Sequence, residues 1–95
     1  MRSRPPGGPD VKVLIPSSLL SYTKRMWVQA EGATLDALLH DLDRQYPGLR
    51  FRMVDEQDRL RPHMRVFIEA QPIHDLGRVL DPDVPVHIVQ ALSGG

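Results

Sequence analysis

Cysteine is absent from the 95-residue chain. That removes a disulfide framework, a thiolate-bound metal and a cysteine nucleophile together. Any sulfur chemistry has to run through something other than a side-chain thiol. An excess of one charge is missing too: twelve basic and twelve acidic residues balance, so no whole-molecule field draws the chain to nucleic acid or to an anionic membrane. Lysine is scarce, with Lys12 and Lys24 the only two among basic residues that are otherwise arginine. Basic residues interleaved with exposed aromatics, the usual mark of a single-strand nucleic-acid platform, do not occur. No apolar run approaches the roughly 20 residues that a membrane-spanning helix needs, and Met1 to Asp10 has no apolar segment of the signal-peptide kind. The expectation is a soluble cytoplasmic protein.

Catalytic constellations are missing as well. His40, His63, His74 and His87 are scattered with no i, i+4 pair, which speaks against a metal site. Ser17, Ser18 and Ser21 share a loop without the glycine pattern of a nucleophile elbow. Gly7-Gly8 precedes the first strand and has no helix after it, so there is no phosphate loop. The cluster Asp55-Glu56-Gln57-Asp58 lacks the spaced ligands and glycine of a calcium loop and reads as a solvated turn. As an enzyme in its own right the chain is ill equipped, and no catalytic or metal-binding residue is assigned.

What is present reads as one small domain. Residues 1–10, with three prolines and two glycines, are expected to form a disordered arm. Val11 to Ile15 is a β-branched strand ended by Pro16. A polar connection follows, with Leu19 and Leu20 tucked under the sheet, and then a second strand over Arg25–Glu31 that places Met26, Val28 and Ala30 on one face. Gly32-Ala33 turns the chain and Thr34 caps a helix, with Asp36 suited to its dipole. Leu35, Leu38, Leu39, Leu42 and Tyr46 make one apolar stripe, and Pro47-Gly48 stops the helix. Leu49 to Pro62 is mixed and charged. Met64 to Ala70 alternates as a third strand; Pro72 to Leu76 is a short edge strand or turn, Gly77 to Leu80 one helical turn, and Asp81-Pro82-Asp83 a tight turn into the last strand, Val84–Gln90. Two strands close in sequence form a hairpin, and a striped helix after it buries its stripe on the sheet. The result is an α+β domain of β-grasp type: a mixed sheet of four to five strands with one main helix on one face, spanning residues 11–92, and a short tail over 93–95.

With Val13, Val28, Val66 and Ile88 turned to the helix, Leu14, Trp27, Phe67 and Val89 point to the other side. In the β-grasp strand order they line up as Trp27, Leu14, Val89, Phe67, an uncovered apolar row that is a candidate partner surface. The last residues, Ala91-Leu92-Ser93-Gly94-Gly95, follow the final strand directly and finish on two glycines, which lack the Cβ that obstructs close approach.

From Val11 to Gly95 the chain resembles the ubiquitin-like sulfur carrier proteins. That group includes the small subunit of molybdopterin synthase, the thiamine-pathway carrier and the carriers of a protein-thiocarboxylate route to cysteine. The resemblance rests on the strand ending at Pro16, on Gly32-Ala33-Thr34-Leu35-Asp36-Ala37-Leu38-Leu39 opening the helix and Tyr46-Pro47 closing it. It continues in Val66-Phe67-Ile68 and Leu80-Asp81-Pro82-Asp83-Val84-Pro85-Val86, and ends in Gly94-Gly95. It implies that an E1-like adenylating and sulfurtransferase enzyme binds the domain and uses ATP to adenylate the Gly95 carboxylate. A sulfur donor then displaces AMP, leaving a thiocarboxylate that a sulfur-accepting biosynthetic enzyme consumes. Gly94 provides clearance. The chain binds no cofactor of its own and is a sulfur-donating cosubstrate, which accounts for the missing catalytic groups and cysteine.

Local departures narrow the reading. Glu69-Ala70-Gln71 stands where many members have a glycine, and Asp81-Pro82-Asp83 replaces an Asp-Gly-Asp turn. Ile88 to Ser93 lacks the aromatic and proline residues common before the tail of molybdopterin-type carriers, and Leu49–His63 is longer than in typical thiamine carriers. Sulfur delivery to cysteine or a specialised metabolite is therefore favoured. The alternatives are a molybdopterin synthase small subunit, a protein modifier conjugated through Gly95, and a plain β-grasp binding module.

Overall fold

The computed structural model describes residues 10–91. Alternation sets its sheet. In β1 (Asp10–Leu14) Val11 and Val13 are fully buried while Asp10 and Lys12 are exposed. In β2 (Trp27–Glu31) Val28 and Ala30 are buried between exposed Trp27 and Gln29. The two strands pair antiparallel, from Asp10 opposite Glu31 to Leu14 opposite Trp27. Asp10 thus opens the first strand and is not part of the expected arm; residues 1–9 lie outside the described residues. Between the strands, Ser17–Leu19 form a 3-10 turn and Leu20–Thr23 a single helical turn, α1. Leu19 is buried and Leu20 half-buried, so only the first is fully tucked under the sheet. Met26, expected on the core face with Val28, is instead 56% exposed: it precedes the first residue of β2, where the chain still bends in from Lys24 in the left-handed region.

The remaining strands are β3 (Met64–Ile68), β4 (Gln71–Ile73) and β5 (Val86–Gln90). The order across the five-stranded sheet is β2-β1-β5-β3-β4. The chain's last strand is central, running parallel to β1 and antiparallel to β3. One fully helical layer covers one face. Its main element is α2 (Leu35–Gln45), whose Leu35, Leu38, Leu39 and Leu42 are all fully buried against Val13, Val28, Val66 and Ile88 in a single core cluster. The expected α+β, β-grasp architecture is the observed one.

Helix α2 is tied down at both ends. The hydroxyl of Thr34 accepts from the Ala37 amide at 3.2 Å, the expected cap. The amides of Leu35 and Asp36 donate to the carbonyls of Arg78 and Leu76 at 2.9 and 2.8 Å, and Thr34 bridges Val79. The 77–80 segment is therefore not a helical turn but a bracket over the helix start, because the amides that a helix leaves unpaired are a better partner for its carbonyls than its own next turn. Near the other end, Asp41 accepts from the Glu31 amide and Gln45 donates to the Gln29 carbonyl, at 2.9 and 3.0 Å. Both backbone groups sit on the outer edge of β2, so α2 covers an edge that would otherwise be open to a further strand.

Leu49–Met53 is a short helix, α3, in the stretch expected only to be mixed and charged. Leu49 and Met53, four residues apart, are both fully buried. Asp43 accepts from the amides of Gly48 and Arg50 at 3.0 and 3.1 Å, capping α3 from the preceding helix. Asp55 to Asp58 is the expected turn, closed by Asp55 accepting from the Gln57 and Arg59 amides.

Candidate functional site

Register fixes what shares a level on the face away from the helices. Leu14 lies opposite Trp27 on one side and His87 on the other. His87 lies opposite Phe67, and Phe67 opposite Pro72. The row is thus Trp27, Leu14, His87, Phe67, Pro72. Trp27 is 46% exposed, while Leu14, His87 and Phe67 are half-buried. The Trp27 and His87 rings meet edge to face across Leu14, centroids 5.8 Å apart and planes at 78°, a favoured aromatic geometry. Leu14, Trp27 and Phe67 come together as expected. Val89 does not join them: it stands opposite Arg65, one step further along, 40% exposed on the same face. Alternation alone allowed either His87 or Val89, since both flank Ile88 on the outer side; only the β1–β5 register decides between them. Among the described residues no helix packs on this face, and its side chains are exposed or half-buried.

The second part of the site is the exit of the chain. Strand β5 lies between β1 and β3, and its ladder is extended one residue by the Ala91 amide donating to the His63 carbonyl at 2.7 Å. The direction of the backbone is therefore set up to Ala91, four residues before Gly95. Gly94 and Gly95 themselves lie outside the described residues. Since β5 runs parallel to β1 with Leu14 level with His87, the chain leaves the sheet at the end where Met26, Trp27 and Val89 are exposed.

Among the described residues, no group of three histidine, aspartate or glutamate side chains is placed to hold a metal ion, and no helix is long and apolar enough to cross a membrane. Two carboxylates depart from ordinary acidity. Burial works to raise Asp41, but the Glu31 amide, Arg44 and Gln45 outweigh it and hold the group below the usual carboxylate value. The Arg59 and Gln57 amides hold half-buried Asp55 low in the same way. Both are structural caps away from the open face.

A central last strand parallel to the first, a hairpin on one side, one main helix on one face and, among the described residues, an uncovered opposite face define a β-grasp fold. No protein-family model and no curated protein sequence matches the chain. Solved structures do. A chain of the Amycolatopsis orientalis BexX/CysO complex is 26% identical, with 90% of this chain and 99% of that one covered at a TM-score of 0.81. Mycobacterium tuberculosis CysO is also 26% identical, over 86% and 99%, with a TM-score of 0.80. The small archaeal modifier protein 1 of H. volcanii, at 17% identity over 90% and 100% and a TM-score of 0.76, shares the fold. The structural neighbours are thus ubiquitin-like sulfur carrier proteins, the group that the sequence resembles. They are small carriers or modifiers, not catalysts.

Proposed function

We propose that this chain is a sulfur carrier whose Gly95 carboxylate is adenylated by an E1-like enzyme at the expense of ATP and then converted into a thiocarboxylate. A carboxylate is a poor electrophile until one oxygen becomes a leaving group. Forming the acyl-phosphate bond to AMP, with release of pyrophosphate, supplies one. A sulfur nucleophile then attacks the carbonyl carbon and expels AMP, and the thiocarboxylate passes its sulfur to an accepting biosynthetic enzyme. The chain is the cosubstrate in this sequence, and Gly94 leaves the activating site unobstructed.

The observation that carries this reading is the placing of β5. The strand is locked in the middle of the sheet and is held through Ala91 by His63, four residues before Gly95, at the end of the sheet where Trp27 and Val89 are exposed. A domain built so can be gripped by its face while its tail enters another protein's active site. The similarity to a chain of the BexX/CysO complex supports a protein partner. Delivery to cysteine or a specialised metabolite is favoured over the molybdopterin synthase small subunit by the lack of aromatic and proline residues in Ile88 to Ser93.

Intact mass tests the proposal. Incubated with an E1-like activating enzyme, ATP and sulfide, the chain gains about 16 Da as one oxygen is exchanged for sulfur at the acyl carbon. A residue appended after Gly95 abolishes the gain and leaves the thermal melt unchanged. An unmodified mass throughout refutes the carrier reading, and conjugates to lysines of other proteins identify a modifier instead.

A further inference from the structure

Under the exit of the chain, on the helical side of the sheet, lies an open groove of about 390 Å³ lined by Leu19, Phe51, Arg52, Arg61, His63, Met64 and Gln90. Its floor is apolar: Leu19 and Met64 are almost fully buried. Its wall is Phe51, 59% exposed. Arg61 is fixed across that wall, its Nε donating to the Phe51 carbonyl at 2.7 Å and its guanidinium carbon 4.5 Å from the ring centre. No carboxylate lines the groove. Among the described residues neither Arg52 nor Arg61 forms a direct ion pair, although Arg61 is near enough to Asp55 to help hold its carboxyl low, whereas Arg50 is held by Asp36 and Asp58, Arg44 by Asp41 and Arg59 by Asp55. In a chain with no net charge, this is a local cationic rim over an apolar floor, held next to the fixed Ala91–His63 pairing.

We propose that this groove seats an acidic segment of the enzyme that acts on the tail. One apolar side chain of that segment lies on the Leu19–Met64 floor against Phe51, and flanking carboxylates meet Arg52 and Arg61. Charge complementarity selects the occupant. The chain's own N-terminal arm has the wrong charge, since Arg2 and Arg4 outnumber its acids before Asp10. Position selects the enzyme: Gln90 lines the groove and is the last residue of β5, five residues before Gly95, so a protein that takes up Gly95 has this groove within its reach. Only this last step rests on the sulfur-carrier reading; the chemistry of the groove does not.

Titration of the isotope-labelled chain with the peptide acetyl-Asp-Glu-Leu-Asp-Glu-amide separates the possibilities. The expected result is saturable shifts of the Phe51, His63 and Gln90 amides and the Arg61 Nε–H. Affinity falls about ten-fold in R52E/R61E, as reversal of two solvent-exposed pairs predicts, and is retained in R52K/R61K. Arg52 is exposed and Arg61 half-buried, and thermal melts of both variants check that they fold. Absence of shifts, equal shifts with acetyl-Asn-Gln-Leu-Asn-Gln-amide, stronger shifts with an eight-residue oligothymidylate, or shifts traced by sedimentation to a dimer of this chain each overturn the proposal. With an activating enzyme, R52E/R61E raises KM about ten-fold at unchanged kcat. An unchanged KM removes the enzyme as the occupant while the sulfur gain of the wild-type chain still stands. If the wild-type chain never gains sulfur, the carrier reading fails and the peptide titration still decides the groove.

Discussion

The turn between β3 and β4 carries a strain that a single substitution releases. Ile68 and Gln71 close the hairpin, and the two residues between them, Glu69 and Ala70, have φ of 52° and 68°. Two consecutive left-handed residues form the mirror-image turn whose twist suits a two-residue hairpin and which normally carries Asn-Gly. For an alanine the left-handed region costs about 1–2 kcal/mol. Ala70→Gly removes that cost but returns about 0.4–1 kcal/mol of freedom to the unfolded chain, leaving a net stabilisation of about 0.5–1 kcal/mol. In a domain of this size that raises Tm by about 3–6 °C. Glu69→Asn with Ala70→Gly adds a few tenths more. Ala70→Val, with a β-branched side chain at positive φ, lowers Tm by a similar or larger amount. Melts followed by far-ultraviolet circular dichroism measure all three. Because Ile68 is level with Val86, at the start of β5, the turn lies at the opposite end of the sheet from the exit of the chain, and sulfur loading is unchanged in each variant. A neutral or destabilising Ala70→Gly together with a tolerated Ala70→Val refutes the left-handed turn.

Three further outcomes follow from the packing. Gly32→Ala places a Cβ 2.4 Å from the Leu38 nitrogen, 2.7 Å from its Cα and 2.9 Å from the Ala37 carbonyl carbon; these are helix backbone atoms that cannot swing aside, so urea unfolding shows a loss of about 3 kcal/mol, the upper end for overpacking. Asp41→Asn loses about 1–2 kcal/mol at pH 7, because the nearly covered carboxylate accepts from Glu31, Arg44 and Gln45 and charged acceptors are the stronger ones. The folded pKa of Asp41 is lowered, so this stabilisation is complete above the unfolded value near 4 and is lost as pH falls through the folded one; the gap between wild type and variant therefore closes in strong acid. Trp27→Glu leaves the melt within about 0.5 kcal/mol of wild type, as expected of an exposed position, yet weakens binding of a partner enzyme in a pull-down or calorimetric titration; undiminished binding removes the sheet face as its surface.

Much of this was legible in the chain, and the failures have a common cause. The leucine stripe, the Thr34 cap and the alternation of β1, β2, β3 and β5 are local patterns, and each survives. Whatever depended on a partner distant in sequence was misplaced. His87 and Val89 carry the same alternation, and only pairing to Leu14 puts His87 in the row. Gly77 to Leu80 looks helical in isolation because the Leu35 amide that claims the Arg78 carbonyl, and the Ala33 carbonyl that accepts from the Leu80 amide, are more than forty residues away. Helix α3 did have a readable signal, Leu49 and Met53 at i, i+4, but its cap comes from Asp43 across Pro47-Gly48. The substitution of Glu69-Ala70 for a glycine was visible in the sequence; that both residues take up the conformation a glycine would was not.

Exposure and strain are divided between the two ends of the sheet in a way that fits a carrier. Of the five large apolar side chains exposed among the described residues, Met26, Trp27, Phe51 and Val89 stand at the end where β5 releases the chain, and only Val79 lies elsewhere, on the bracket over α2. Single exposed apolar residues are common on any surface; four at one end, flanking both sides of the exit, are a patch. The opposite end holds the Glu69-Ala70 turn, the Gly32 close approach and the Leu76–Leu80 hydrogen bonds, the features whose loss costs stability. A partner that grips the exposed end therefore meets exposed apolar surface on both the sheet face and the groove face, on either side of the end of β5. Substitutions at Trp27 and at Arg61 should consequently weaken the same partner independently and additively, as sites on opposite faces do. Coupling of their effects would mean that one element of the partner, and not two, embraces the end of the sheet.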